Sequence, residues 1–404
     1  MGRPFAVSAH RLLAVLLLAL LAAPAAAAGD YQVLGVEEVT LPGHLVRTDW
    51  TVQAGDAPVN RFRMHRLLRG GPQAPRGALL LVPPLSNPFG FYEVDEHGAY
   101  GSSFAAFFAH HGFEVWGYTY RGYDLRSGDC ESGAVDCAPM ATWGIAATTA
   151  DVLWIRERMG EVLPGIAPVL GGYSMGAIST IGIVDAAPSG WAGAMILDGG
   201  LYSDDPAIRA LNAGYCAGAE AALAAGQVYD GVSLPTVRLI ARLAAAAPDE
   251  LTPLPGFPPG FTNHQVLVFL LAVPQPGPLW PTPEFRRCDG SVEEDEFFYC
   301  SDDRVIAHSL AFFDYTDNRS LADVACSIAG DRTHTDDLDA FTAPVLLLGG
   351  GLGFGPLDDD LEHLFTSAPV TRVYLPAYGH SDLWFAPHHR AVLESEILRW
   401  LDGN

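Results

Sequence analysis

Hydrophobic residues fall into two recurring patterns along the chain. Short, continuous apolar runs alternate with longer segments whose apolar positions recur at helical spacing. The clearest runs are Ala78 to Val82, Ala167 to Tyr173, Gly193 to Asp198 and Pro344 to Leu348, and Gly112 to Tyr118 and Thr371 to Leu375 read as further strands. Runs of this length suit strands buried on both faces, as in a parallel sheet. Between them, Phe104 to Ala109 and Trp143 to Met159 have helical character, the latter with Val152, Ile155 and Met159 on one face. Ala391 to Leu401 is a closing helix. Upstream, two or three β-like runs lie between Tyr31 and Arg69. Val33 to Leu41 and Asn60 to Leu68 are the clearest, and their alternation of apolar and polar residues predicts an antiparallel edge. The pattern as a whole predicts an α/β fold, a mostly parallel sheet with helices on both faces.

The stretch from Gly200 to Phe341 breaks the alternation. It carries Ala-rich helical pieces (Pro206 to Ala225, Thr236 to Ala247), a Pro-rich patch around Leu251 to Pro259, and apolar helical segments near Val266 and Ile306. A connection this long needs structure of its own. It is expected to be a helical cap, inserted at the strand ends where ligands bind in such sheets. The expected organisation is therefore a core over 29–199, the cap over 200–341 and the rest of the core over 342–404.

The first 28 residues stand apart. Arg3 and Arg11 precede a run of Leu, Ala and Val from Leu12 to Ala23, followed by Pro24 and an Ala-rich stretch to Gly29. Basic, apolar and small-residue regions in that order predict a cleaved secretory signal peptide, so a secreted or periplasmic protein. The run is short for a membrane span, and no later stretch is long enough to be one. Export suits disulfides. Of six cysteines, Cys130 with Cys137 and Cys288 with Cys300 are close enough for local staples, which would leave Cys216 with Cys326. The net charge of −24, with all 23 basic residues arginine, argues against nucleic acid or an anionic membrane surface as partner. Nothing in the pattern bears on oligomeric state.

Candidate chemistry centres on Gly172-Tyr173-Ser174-Met175-Gly176. An apolar run precedes this G-x-S-x-G and a small-residue helical segment follows it. Strand, tight turn and helix is the context that exposes a serine hydroxyl at a helix N-terminus, where developing negative charge is favoured. Ser174 is the expected nucleophile. Two other features do not carry chemistry of their own. The triple glycine at Gly349 to Gly351 lacks the following Lys and Ser/Thr of a phosphate loop, and the acidic run Glu293 to Glu296 reads as a solvated loop rather than a calcium site.

With that elbow, the chain resembles the α/β-hydrolase superfamily from about Gln32 to Leu401. The resemblance implies a serine hydrolase without a cofactor, acting on an ester through an acyl-enzyme. It also implies a base near the C-terminus, which His380 in Tyr378-Gly379-His380-Ser381-Asp382 supplies. The Gly-His-x-Asp-Leu-Trp wording there is similar to the tail of acid lipases, with Asp382 a structural partner. The acid departs from the pattern, because ungapped alignment puts Gly353 where the aspartate should stand. Two replacements remain open: Asp198, at the end of the preceding core strand, and Asp358, the first of Asp358-Asp359-Asp360. Those three can equally cap a helix. Asp198 is preferred. The oxyanion donors implied are the amides of Met175 and Leu85, since Pro83 and Pro84 have no N–H. Leu81-Val82-Pro83-Pro84 with Asn87 also resembles polyhydroxyalkanoate synthases, which use cysteine at the elbow. Serine points instead to hydrolysis of carboxylic esters, with a lipid-like or small-molecule ester as partner. A polyester depolymerase, a peptidase or amidase, and a non-catalytic binding protein on the same fold are the alternatives.

Overall fold

The computed structural model describes residues 30–71, 74–93, 103–257, 259–272, 310–385 and 389–404. The signal segment, Cys288, Cys300, the acidic run and the helix expected near Ile306 lie outside the described residues.

Nine strands of the described residues form one sheet. An antiparallel edge comprises β1 (Tyr31–Leu41), β2 (Leu45–Ala54) and β3 (Arg61–Arg69). It continues into a parallel part made of β4 (Gly77–Val82), β5 (Phe113–Thr119), β6 (Val169–Tyr173) and β7 (Gly193–Leu197). A two-stranded ladder of β8 (Tyr229–Asp230) and β9 (Thr316–Asp317) stands apart, and β10 (Val345–Gly350) and β11 (Val370–Leu375) complete the large sheet. The order is β1-β2-β3-β5-β4-β6-β7-β10-β11. The chain leaves β4 toward one side and, after β5, crosses to the other. The C-terminal ends of β4 and β6 therefore flank the point where strand order reverses, where a crevice opens in sheets of this kind.

Period-two side-chain alternation divides the buried strands between two cores. Ala78, Leu80, Val82, Ala194 and Ile196 face one layer, with α2 (Gly144–Val162) and α3 (Met175–Ala186). Leu79, Leu81, Met195 and Leu197 face the other, with α1 (Phe104–His110) and the closing helix over His389–Gly403. Burial on both faces is why these strands read as unbroken apolar runs. At the sheet edge, Asp151 of α2 is fully buried and accepts hydrogen bonds from Tyr31 Oη (3.0 Å), Tyr118 Oη (2.9 Å) and Arg121, which ties the first strand and the β5 loop to the helix.

The stretch between β7 and β10 contains α4 (Pro206–Ala224), α5 (Ser233–Ala246), α6 (Asn263–Ala272) and α7 (Asn318–Ala329). Ile240, Ala241, Val266 and Leu267 of α5 and α6 pack into the second core beside Trp384. A disulfide joins Cys216 of α4 to Cys326 of α7, and another joins Cys130 to Cys137. The former closes a loop of 110 residues, which restricts the unfolded chain strongly in the loop-entropy account. Replacing Cys216 and Cys326 together by Ala is expected to lower the unfolding free energy by about 2–4 kcal/mol. Urea denaturation measures it, and an unchanged midpoint would show that the bridge adds no stability.

Candidate active site

β6 ends at Tyr173 and α3 begins at Met175, so Ser174 alone makes the turn. Its backbone sits at φ 58°, ψ −123°, a conformation that costs energy for any residue with a Cβ. The flanking glycines make it possible. A Cβ at Gly172 would lie 2.3 Å from the backbone of Gly176, and one at Gly176 would lie 2.0 Å from the carbonyl oxygen of Val82. The elbow is therefore pressed against the end of β4. Ser174 N–H donates to Leu197 O (3.1 Å), and the first rung of α3 is Ile178 N–H to Ser174 O (3.0 Å). The amides of Met175, Gly176 and Ala177 precede that ladder, at the positive end of the helix.

His380 follows β11 on a turn. Its Nε2 lies 2.9 Å from Ser174 Oγ and its Nδ1 lies 2.5 Å from Asp198 Oδ2. Asp198 comes one residue after β7, also with positive φ (48°), and is fully buried. Its N–H donates to Leu348 O (2.7 Å), while Oδ1 accepts the N–H of Gly350 (2.8 Å) and of Phe354 (3.1 Å). A carboxylate at Nδ1 sets the imidazole tautomer: the proton sits on Nδ1, and Nε2 accepts from the serine hydroxyl. The ring is held on both sides. Tyr173 stacks on it at 4.8 Å, Phe354 meets it edge-on at 5.0 Å, and Tyr173 Oη donates to His380 O (2.8 Å).

The glycine that takes the place of the usual acid has a physical reason. A Cβ at Gly353 would lie 2.4 Å from Asp198 Oδ2, so the Asp198 carboxylate occupies the space a side chain there would need. Asp358 is elsewhere. It opens the short helix α8 (Asp358–Glu362) and is fully buried, and neither carboxyl oxygen has a hydrogen-bond partner among the described residues. A Cβ at Gly349 would lie 2.4 Å from its Oδ2. Asp359 pairs with Arg372, and Asp360 accepts from Ser203 Oγ and Asp204 N–H (both 2.9 Å). Asp382 accepts the N–H of Gly379 at 2.6 Å and so braces the turn that carries His380.

Leu85 is half-buried in the loop after β4, where Tyr92 Oη donates to Val82 O (2.7 Å) and Tyr120 Oη to Pro83 O (2.9 Å). Neither tyrosine, nor Tyr173 and Phe354 around the imidazole, was singled out from the sequence. Only proximity to the elbow and to the Gly-rich turn could have marked the last two.

Among the described residues, four buried carboxyls hold protons unusually well. Burial raises Glu93 and Asp185 to about 7 and Asp317 to about 6, and burial together with the nearby Asp198 charge raises Asp358 well above the carboxylate range. The folded state then binds protons that the unfolded chain releases above about pH 4. Their stabilisation is fully present below that value and is lost as pH rises through the raised values, about 6 for Asp317 and about 7 for Glu93 and Asp185. His65, lowered by burial, opposes this below about pH 6.5. Four groups against one predict a higher thermal midpoint at pH 5 than at pH 8. A scan showing the reverse order would contradict the assignment of buried neutral carboxyls.

No protein-family model matches the sequence, and no curated protein matches it. Solved structures do. A proposed lipase from Sulfolobus solfataricus superposes with a TM-score of 0.65 at 18% identity, covering 93% of this chain and 99% of the other. A highly thermostable carboxyl esterase from Bacillus coagulans gives 0.51 at 13% identity, covering 92% and 99%. The chain has the α/β-hydrolase fold.

Proposed function

We propose that this α/β-hydrolase-fold chain is an exported serine hydrolase that cleaves carboxylic esters. The observation that carries the reading is the unbroken hydrogen-bond chain from Ser174 through His380 to Asp198, at the elbow and beside the strand-order reversal. Ser174 Oγ attacks the ester carbonyl carbon while its proton passes to His380 Nε2. Asp198 at Nδ1 stabilises the imidazolium that results. The oxyanion of the tetrahedral intermediate takes the amides of Met175 and Leu85, and its collapse expels the alcohol, which leaves with the proton from Nε2. Water repeats the sequence on the acyl-enzyme and releases the acid. No metal or cofactor enters any step.

The similarity to a proposed lipase and a carboxyl esterase supports an ester as the bond cleaved. Phe91, Leu254, Phe257 and Phe261 are partly buried against the second core, and Phe91 stacks on Tyr173 beside the imidazole, apolar surface that favours a hydrophobic acyl group. The region over 200–341 serves as the cap in this reading. Among the described residues no helix is long and apolar enough to cross a membrane, and the two disulfides suit an oxidising compartment. Chromogenic esters from acetate to palmitate, run beside a matched anilide, test the proposal. Turnover is expected on the esters and to rise with acyl length beyond acetate. Faster turnover of the anilide would make the protein an amidase, and no turnover of either would favour a binding role.

A further inference from the structure

The loop after β4 contains a second strained residue. Ser86, next to Leu85, is buried and has φ 52°. Unlike Ser174, nothing in the proposed chemistry uses its hydroxyl. Its hydroxyl and its carbonyl are both held by one short segment of the insertion. Ser86 Oγ is 2.8 Å from Thr316 Oγ1, and Ser86 O accepts the N–H of Phe313 at 2.9 Å. Thr316 and Phe313 are themselves buried, and Thr316 begins β9, paired with β8 and followed directly by the Asp317 cap of α7. Asn87 closes the other side, with its N–H on Pro84 O (3.1 Å) and its Nδ2 on Leu85 O (2.9 Å).

A left-handed conformation at a residue with a Cβ persists only where its surroundings over-determine it. At Ser86 those surroundings come from the insertion, 230 residues away in sequence. Turning φ of Ser86 back to negative values would reorient the peptide plane joining it to Leu85, which carries the Leu85 carbonyl, and would thereby move Leu85 and its N–H, one plane further back, relative to Met175. We infer that Thr316 is a positioning residue for the oxyanion donor. Its hydroxyl holds Ser86 left-handed, and the insertion thereby sets the geometry of the hole. The inference rests on the proposed role of Leu85 and on Ser174 as nucleophile. It assigns the insertion a part in the rate of the chemical step, besides any contact with substrate.

Four variants test it by steady-state kinetics on one chromogenic ester. Thr316→Val removes the hydroxyl at nearly constant volume and is expected to lower kcat about 10- to 100-fold with KM unchanged, because a donor is displaced rather than lost. Thr316→Ser keeps the hydroxyl and is expected to stay within about threefold of the parent. Ser86→Ala keeps the strain without the partner and is expected to fall as Thr316→Val does. Ser86→Gly in the Thr316→Val background removes both the strain and the orphaned hydroxyl, so most of the lost kcat is expected to return. A Thr316→Val kcat close to the parent's would overturn the inference, as would a change confined to KM. So would a loss that Ser86→Gly fails to reverse while the thermal midpoint drops with it. Fluorophosphonate labelling of the parent protein separates the two levels: a parent that labels at Ser174 but ignores Thr316→Val refutes this inference alone, and a parent that does not label refutes the reading beneath it.

Discussion

Ser174→Ala is expected to lower kcat for ester hydrolysis by about 10⁴-fold or more while leaving the thermal midpoint nearly unchanged. The loss is large because the hydroxyl is the atom that forms the acyl bond. His380, Asp198 and the amide donors have nothing to activate without it. The midpoint holds because Ser174 is half-buried, its hydroxyl hydrogen-bonds to His380, and Ala bears the same strained φ of 58° as Ser does. Residual turnover within about tenfold of the parent would remove Ser174 from the mechanism.

Asp198→Asn is expected to cost about 10³-fold or more in kcat, and Asp358→Asn less than about tenfold. Both carboxyls are fully buried near one Gly-rich turn, yet their surroundings differ. Asp198 accepts two backbone N–H groups and the imidazole, so it can hold negative charge when His380 becomes cationic. Asparagine there would present either an N–H that cannot accept from Nδ1 or a neutral oxygen, with the wrong tautomer as a consequence. Asp358 has no hydrogen-bond partner on either oxygen among the described residues, and burial raises its pKa well above the carboxylate range. A neutral amide replaces it at little loss, and the fall of stability with rising pH above about pH 4 is expected to be shallower in that variant. Equal losses from the two substitutions would refute the separation of roles.

Much of this fold was legible in the residues. Strands buried on both faces must be continuously apolar, so β4, β6, β7 and β10 stood out, and the elbow was marked by glycines that no larger residue can replace. Strand β2, between β1 and β3, was weaker, because its Arg47 and Asp49 pair with each other and with Glu93 and His65, so polar residues interrupt the apolar pattern. The candidate acid was the hardest residue to place. Two buried aspartates flank one turn, and only the positions of their oxygens relative to His380 distinguish them, a relation across 182 residues of sequence. The hold of Thr316 on Ser86 was invisible for the same reason. Neither residue type nor local pattern encodes a hydroxyl pair spanning the insertion.

Covalent labelling tests the central claim most directly. Incubation of the purified protein with a fluorophosphonate, followed by intact mass and peptide mapping, measures whether an activated serine exists and which one it is. The account predicts a single adduct on the peptide containing Ser174, loss of ester hydrolysis in step with labelling, and no adduct in Ser174→Ala. An unlabelled protein, or an adduct on another serine with Ser174 left free, would contradict it.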